Sequence, residues 1–372
     1  MSPPGRPKGE FPSAQREGSL MSPPGRPKGE FPSAQREGSL MSPPGRPKGE
    51  FPSAQREGNP ITPPGRPQGE FPSAQREGSP VRATVAFIGL GNMGRPMAGH
   101  LIDAGFALRV HARRADAMAP LAARGATACG SPAEAARGAQ FIVTNVTSSD
   151  DVRAVLLGPQ GAVEGAAAGS VVIDHSTIAA EVTREIAAAL AARGIEMLDC
   201  PVSGGVKGAQ AKTLSIMVGG RPEVLERARP LLAAVGQTIT HIGGHGAGQV
   251  VKACNQIVQV INIQGIAEAM LFARAQGVDC EKMLAALQAG FAGSKMLDLM
   301  GPKMARREFG AGIEARLHQK DYGLIVDMAR AAGLGMPATA LVAQQLNALV
   351  GRGWGSDDTS SLLRVLEAAN GK

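Results

Sequence analysis

Apolar residues crowd the stretch Gly244–Gly277, GHGAGQVVKACNQIVQVINIQGIAEAMLFARAQG. After its glycine-rich entry only Gly265 interrupts a run of about 27 residues, which predicts one helix roughly 40 Å long at ~1.5 Å per residue. Apolar side chains all round mark a helix buried on nearly every side. The polar exceptions are Lys252, Asn255, Gln256, Gln259 and Asn262. Their spacing of three, one, three and three places them on one face. A solvated face would carry Glu, Lys and Arg, whereas this one carries amides and a single ammonium. For Gln259 and Asn262, internal hydrogen bonds to neighbouring elements are an equal reading. A lysine one turn into a buried helix needs a further reason, and a bound ligand supplies one.

Upstream, short apolar runs alternate with helical stretches. Thr84–Leu90 reads as a strand, Gly89, Gly91 and Gly94 as a G-x-G-x-x-G turn, Arg95–Asp103 as a helix and Ala107–His111 as a second strand. In that context the glycines let backbone approach a pyrophosphate seated at a helix N-terminus. Gln140–Val146, Ser170–Asp174, Glu196–Leu198 and Leu214–Val218 continue the series, so the fold expected is α/β, a doubly wound parallel sheet. Ligands gather at the carboxyl ends of such strands. There lie Asn145-Val146-Thr147-Ser148, His175-Ser176-Thr177 and the loop Asp199–Gly205, DCPVSGG. Taken alone, each loop reads as an ordinary turn before it reads as a binding loop. At the end of the second strand stands His111-Ala112-Arg113-Arg114, with no acid before Asp116. An acid there would bind a ribose 2′-hydroxyl and an arginine a 2′-phosphate, so NADP(H) is favoured over NAD(H), one of the two arginines being a solvated loop residue.

The first eighty residues differ in kind. MSPPGRPKGEFPSAQREG opens at Met1, Met21 and Met41, and ITPPGRPQGEFPSAQREG at Ile61. One Phe per copy gives nothing to stack into a solenoid, and a disordered low-complexity tail is expected over residues 1–80. The near-identical copies read as translated repetitive DNA ahead of the true start. The tail holds eleven of the chain's 39 Lys/Arg and eight of its 32 Asp/Glu, so the remainder is near +4. That suits an anionic small molecule and argues against nucleic acid. Four cysteines without paired spacing imply a reducing cytoplasm and no structural metal. No signal peptide and no apolar run of membrane-spanning length is read.

Taken together, FIGLGNMGRPMAGHL, DHST, DCPVSGGVKGAQ-KTLSIMVGG, GHGAGQVVKACNQ and LHQKD resemble, in order and spacing, the β-hydroxyacid dehydrogenase family over Val81–Ala369. GFAGSKMLDLMGPKM looks most like the tartronate semialdehyde (2-hydroxy-3-oxopropanoate) reductases within it. The resemblance implies a Rossmann domain at 81–243, and an all-helical substrate and oligomerisation domain at 244–372 joined to it by the long interdomain helix. It implies Lys252 as catalytic residue with Asn255 beside it, and the substrate carboxylate on Ser203, Gly204 and Gly205. Cofactor contacts would come from Gly89, Leu90, Gly91, Asn92, Met93, Gly94, Val146, Thr147, Thr177 and Lys320, with Arg113 and Arg114 at a 2′-phosphate. Departures are Val146-Thr147 where the family often has Leu-Pro, and Lys212 where it has Gly.

Helices are expected at Cys280–Gln288, Met296–Arg306, Lys320–Ala332, Ala338–Leu349 and Thr359–Ala369. Phe291 either reaches the site or packs in the core. The reaction implied is reduction of a small semialdehyde to a hydroxyacid, 2-hydroxy-3-oxopropanoate to D-glycerate first. 3-Hydroxyisobutyrate, glyoxylate and succinate semialdehyde chemistry are alternatives, in a homodimer or homotetramer. Lys252 would donate the proton, its pKa depressed by Lys320. A cofactor-binding scaffold would not need Lys252, Asn255 and Ser203 together, and an imine reductase on the same scaffold normally lacks the lysine.

Overall fold

The computed structural model describes residues 82–310 and 312–372, so the expected disordered tail at 1–80 lies outside the described residues. In chain order the elements are β1 (Arg82–Ile88), α1 (Gly94–Asp103), β2 (Phe106–His111), α2 (Ala119–Ala122), β3 (Thr127–Ala128), α3 (Pro132–Ala136) and β4 (Phe141–Thr144). Then come α4 (Ser149–Leu157), β5 (Val171–Asp174), α5 (Ala180–Ala191), β6 (Glu196–Asp199), β7 (Val202–Ser203), α6 (Gly205–Ala211), β8 (Leu214–Gly219), α7 (Pro222–Val235) and β9 (Gly236–Gly243). The rest is helical: α8 (Ala247–Ala275), α9 (Cys280–Gln288), α10 (Lys295–Arg306), α11 (Ala315–Ala331), α12 (Pro337–Gly351) and α13 (Leu362–Ala369).

The strands run β3-β2-β1-β4-β5-β6-β8-β7, with β9 on β8. β3 through β6 are parallel, which is the order of a Rossmann sheet. Both faces are covered, and the strand sequences say why. Val85 and Phe87 of β1 join the cluster under α1 and α7, while Ala86 and Ile88 join the one under α3, α4 and α5. Period-two alternation with both sets apolar is the signature of a strand buried on both faces. The expected doubly wound parallel sheet is present, and its far end adds strands of mixed direction. β8 runs antiparallel to β6 and β7, and β9, unread in the sequence, adds a parallel edge. β9 is largely exposed, so it lacks the apolar alternation that marks a strand.

A third cluster belongs to the helical layer, where Val260, Ile263, Ala267 and Met270 of α8 meet α10 to α13. α8 has the length and apolar composition of a membrane span, contrary to the sequence expectation. Its composition is explained by what it packs on, sheet at one end and four helices at the other. α11 starts five residues before the predicted Lys320, because the Ala315 and Arg316 amides are held by the Asp357 and Gly355 carbonyls. The last predicted helix opens as a 3₁₀ turn, Thr359–Ser361.

The entry of α8 is fixed by a residue remote in sequence. The Asp199 carboxylate, at the end of β6, accepts from the amides of Gly246 (2.9 Å) and Gln249 (3.1 Å). It thereby caps a helix whose own N-cap, Gly246, has no side chain for the task. Gln249 ties the same turn to the β5 loop, donating to the Ser176 carbonyl (2.9 Å) and accepting from the Ile178 amide (3.2 Å). Gly248 sits so close that a Cβ there would lie 2.5 Å from the Met217 carbonyl oxygen and 2.8 Å from that of Asp199. Both obstacles are backbone and cannot swing away. Gly248→Ala should therefore destabilise the protein by about 2 kcal/mol despite alanine's better helix propensity. The expected sign is a lower urea midpoint with an unchanged slope.

Candidate active site

The strand order reverses between β1 and β4, and in such sheets the crevice outside the carboxyl ends of the strands at the reversal takes the ligand. Gly89 follows β1 with φ +98°, and a Cβ on it would stand 2.3 Å from the Asn145 carbonyl oxygen after β4. A Cβ on Gly94 would stand 2.0 Å from the Gly89 carbonyl oxygen, so α1 can start this close to β1 only from a glycine. Gly91 differs, since nothing lies within 4 Å of a Cβ built on it. The middle glycine faces open space where a pyrophosphate would approach the N-terminus of α1, and the turn fits a dinucleotide. Leu90 is buried beneath the turn, Asn92 is exposed and Met93 is half-buried against the core.

At the end of β2, Arg113 and Arg114 project into solvent. Their nearest carboxylates are loosely placed, Asp151 at 3.8 Å and Asp116 at 3.9 Å. The loops after β4 and β5 are braced from below. Buried Asp174 accepts from Thr144 Oγ1 (2.8 Å) and the Ser176 amide (3.0 Å), while Ser176 Oγ accepts from the Val146 amide (3.0 Å). Burial pushes the Asp174 carboxyl up to about 6, and the hydrogen bonds from Ser176 and Thr144 only partly oppose that. Next to it burial lowers His175 to about 4, with its Nδ1 2.7 Å from the Cys200 carbonyl oxygen. From the helical layer, Lys320 donates to the carbonyls of both Thr147 (3.0 Å) and Thr177 (2.6 Å). It also pairs with Asp321 at 2.9 Å. One ammonium thus spans the two loops that flank the crevice.

Lys252 lies one turn into α8 and is buried, its Nζ donating to the Val202 carbonyl at 2.9 Å. Burial lowers its pKa to about 8, with Asp321 pulling upward and Lys320 downward. The expected role of Lys320 in that depression is a minor cause beside desolvation. Asn255 Oδ1 accepts from Ser203 Oγ at 3.2 Å, bringing α8 against β7. Gly204 and Gly205 follow Ser203 with φ of +136° and +61°, a turn open only to glycine, which leads into the first-turn amides of α6. The structure therefore gathers Lys252, Asn255 and Ser203 at the junction of sheet and helices, and Val146, Thr147, Thr177 and Lys320 around the crevice.

Phe291 is a correction. It is fully exposed in the loop after α9, where Gly290 and Gly293 turn the chain outward, and it reaches neither site nor core. Two residues given no role from the sequence do matter. Gln256 is buried and donates to Asp321 at 2.6 Å, and Asp321 is buried beside Lys320. Their only sequence signals were a glutamine on the polar face of α8 and the acid of LHQKD. Among the described residues no group of three or more His, Cys, Asp or Glu is placed to hold a metal ion.

Two family models cover this architecture. Residues 84–243 match the NAD-binding domain of 6-phosphogluconate dehydrogenase, and 246–366 match the NAD-binding domain of NADP-dependent 3-hydroxyisobutyrate dehydrogenase. The chain is 38% identical to 2-hydroxy-3-oxopropionate reductase of Escherichia coli over 287 residues, 76% of this chain and 97% of that one. It is 37% identical to an NAD-dependent L-serine dehydrogenase of Pseudomonas aeruginosa, over 77% of this chain and 99% of that protein. A solved 3-hydroxyisobutyrate dehydrogenase from Mycobacterium tuberculosis with L-serine superposes with a TM-score of 0.71 at 33% identity, covering 76% of this chain and 99% of that one. The similarity runs along nearly the full length of these relatives, and the chain belongs to the β-hydroxyacid dehydrogenase family, NAD(P)-dependent oxidoreductases acting on 3-hydroxyacids.

Proposed function

We propose that the protein reduces a small carboxylate-bearing semialdehyde to the hydroxyacid, with 2-hydroxy-3-oxopropanoate to D-glycerate the preferred pair, and that Lys252 is the general acid. The observation that carries the reading is the buried Lys252 ammonium on the Val202 carbonyl, beside the hydrogen bond that joins Ser203 to Asn255. The substrate choice draws support from the Escherichia coli relative, named for that reaction.

When bound, the reduced nicotinamide supplies the hydride. Lys252 donates one N–H to Val202 and keeps two, one of which can meet an aldehyde oxygen and pass it a proton as negative charge develops there. A pKa of about 8 suits that task, since the amine is mostly protonated at neutrality yet gives its proton up more readily than an exposed lysine. Ser203, Gly204 and Gly205 hold the carboxylate, which sets the carbonyl carbon in place before reaction. Arg113 and Arg114, exposed and loosely paired, are free to hold a 2′-phosphate, so NADP(H) is the preferred cofactor. A homodimer or homotetramer is part of the reading. Val250, Cys254, Val258, Gly265 and Phe272 form an exposed stripe along α8 on the side away from Lys252.

Lys252→Ala should lower turnover by ~100-fold or more while cofactor binding, followed by nicotinamide fluorescence, stays near wild type. The pH profile carries a sign. Reduction needs the protonated amine, so its kcat/KM should be flat at neutrality and fall as pH rises through about 8, whereas oxidation of the alcohol should rise through the same pH. A profile without that crossing removes Lys252 from the chemistry. Replacing both Arg113 and Arg114 with alanine should raise KM for NADPH about tenfold or more and leave that for NADH within a few-fold. Light scattering should give twice or four times the chain mass, reduced by Val258→Asp combined with Phe272→Asp.

A further inference from the structure

The amides beside Lys252 are not free to choose which end they show a ligand. Asp321 accepts at Oδ2 from Gln256 Nε2, 2.6 Å away. An ionised carboxylate has only lone pairs to offer, so the NH₂ end of Gln256 must face it. The Gln256 oxygen is then turned back along α8, where it accepts from Asn255 Nδ2 at 2.8 Å. The second hydrogen of that same nitrogen goes to Gln259 Oε1 at 3.2 Å. Both N–H groups of Asn255 are thereby used. What remains is Oδ1, which lies 3.2 Å from Ser203 Oγ. Reversing any amide of the chain would set two oxygens or two NH₂ groups against each other.

Resting on the reductase reading above, we infer that Asp321, acting through Gln256, fixes Asn255 as a hydrogen-bond acceptor toward the substrate and makes the site select ligands with an O–H or N–H on the carbon next to the carboxylate. The reacting oxygen belongs to Lys252 and the carboxylate to the glycine turn after Ser203, so Asn255 Oδ1 faces what lies between them. If the Ser203 hydroxyl keeps its bond to Asn255, one lone pair of Oδ1 is left; if it turns to the carboxylate, two are left. Either way a donor on that carbon is rewarded, and a methyl or hydrogen leaves a part-buried oxygen without its partner. Gln256 and Asp321 are positioning residues, since they act on the substrate only through Asn255.

The test is oxidation of four 3-hydroxyacids that differ only at that carbon, the three chiral ones as racemates: glycerate, serine, 3-hydroxypropanoate and 3-hydroxyisobutyrate, with NADP+ and again with NAD+. The wild-type kcat/KM for glycerate or serine should exceed that for the two lacking a donor by about tenfold or more. Gln256→Leu should collapse the ratio to within about threefold, because Asn255 can then turn an N–H outward. Gln256→Glu should keep the ratio, since a proton shared with Asp321 takes the place of the lost N–H and the other carboxyl oxygen still accepts from Asn255. A ratio between substrates cancels any common loss in proton donation or cofactor binding, so a merely structural role for Gln256 would not move it. Equal turnover of all four by the wild type, or an undiminished ratio in a folded Gln256→Leu, overturns the inference. Turnover of none of the four overturns the reductase reading and the inference with it.

Discussion

The structure turns on a single cap. A helix of 29 residues whose N-cap is glycine has unsatisfied amides at its entry, and Asp199 satisfies two of them from the end of a strand 47 residues earlier. The carboxylate is buried, and burial raises its pKa, so ionising it there is costly. The return is position. With Asp199 on its amides and Gln249 pinned to the β5 loop, the first turn of α8 has one rotational setting, and Lys252 emerges beside β7. An amine buried this deeply would otherwise be a liability. It is tolerated because the Val202 carbonyl and the nearby Asp321 charge replace part of its lost hydration.

The electrostatics of the junction follow from how few charges it holds. Lys252, Lys320 and Asp321 are one net positive charge among them, and Lys320 shares its charge with two loop carbonyls. A net positive site favours an anionic ligand. It also divides the labour between the two lysines. Lys320 is committed to three partners, so it holds loops together; Lys252 is committed to one, so it has protons to spare.

How much was legible in the sequence depends on the range of the interaction. The glycine turn is local: three residues within six positions fix its geometry, Gly89 and Gly94 because a Cβ would strike backbone and Gly91 because it faces open space where a ligand would approach. α8 was legible because a long run without breakers has one regular solution, although it starts at Ala247, inside the glycine-rich entry rather than after it. What stayed hidden is long-range. Nothing near Asp199 announces that it will cap a distant helix, and nothing near Asp321 that it will meet Gln256, 65 residues away. β9 was hidden for another reason: an exposed edge strand needs no apolar face, so it leaves no period to read. Phe291 misled because an aromatic between glycines suits a ligand contact as well as it suits an exposed turn.

The composition of α8 reconciles its two roles. Wound at 3.6 residues per turn, Lys252, Asn255, Gln256, Gln259 and Asn262 fall on one side, and Val250, Cys254, Val258, Gly265 and Phe272 on the other. The helix is apolar enough to resemble a membrane span because one side packs into the protein and the exposed side carries mostly apolar residues in place of charge. Its polar side is filled with amides rather than charged groups, and that choice is chemical. A row of carboxylates there would repel an anionic substrate and hold Lys252 too firmly protonated. Further ammonium groups would depress its pKa below the neutral range. Amides add hydrogen-bond direction without adding charge, so the side can be given a polarity by one carboxylate at its end while the lysine keeps a pKa at which it can both hold and release a proton.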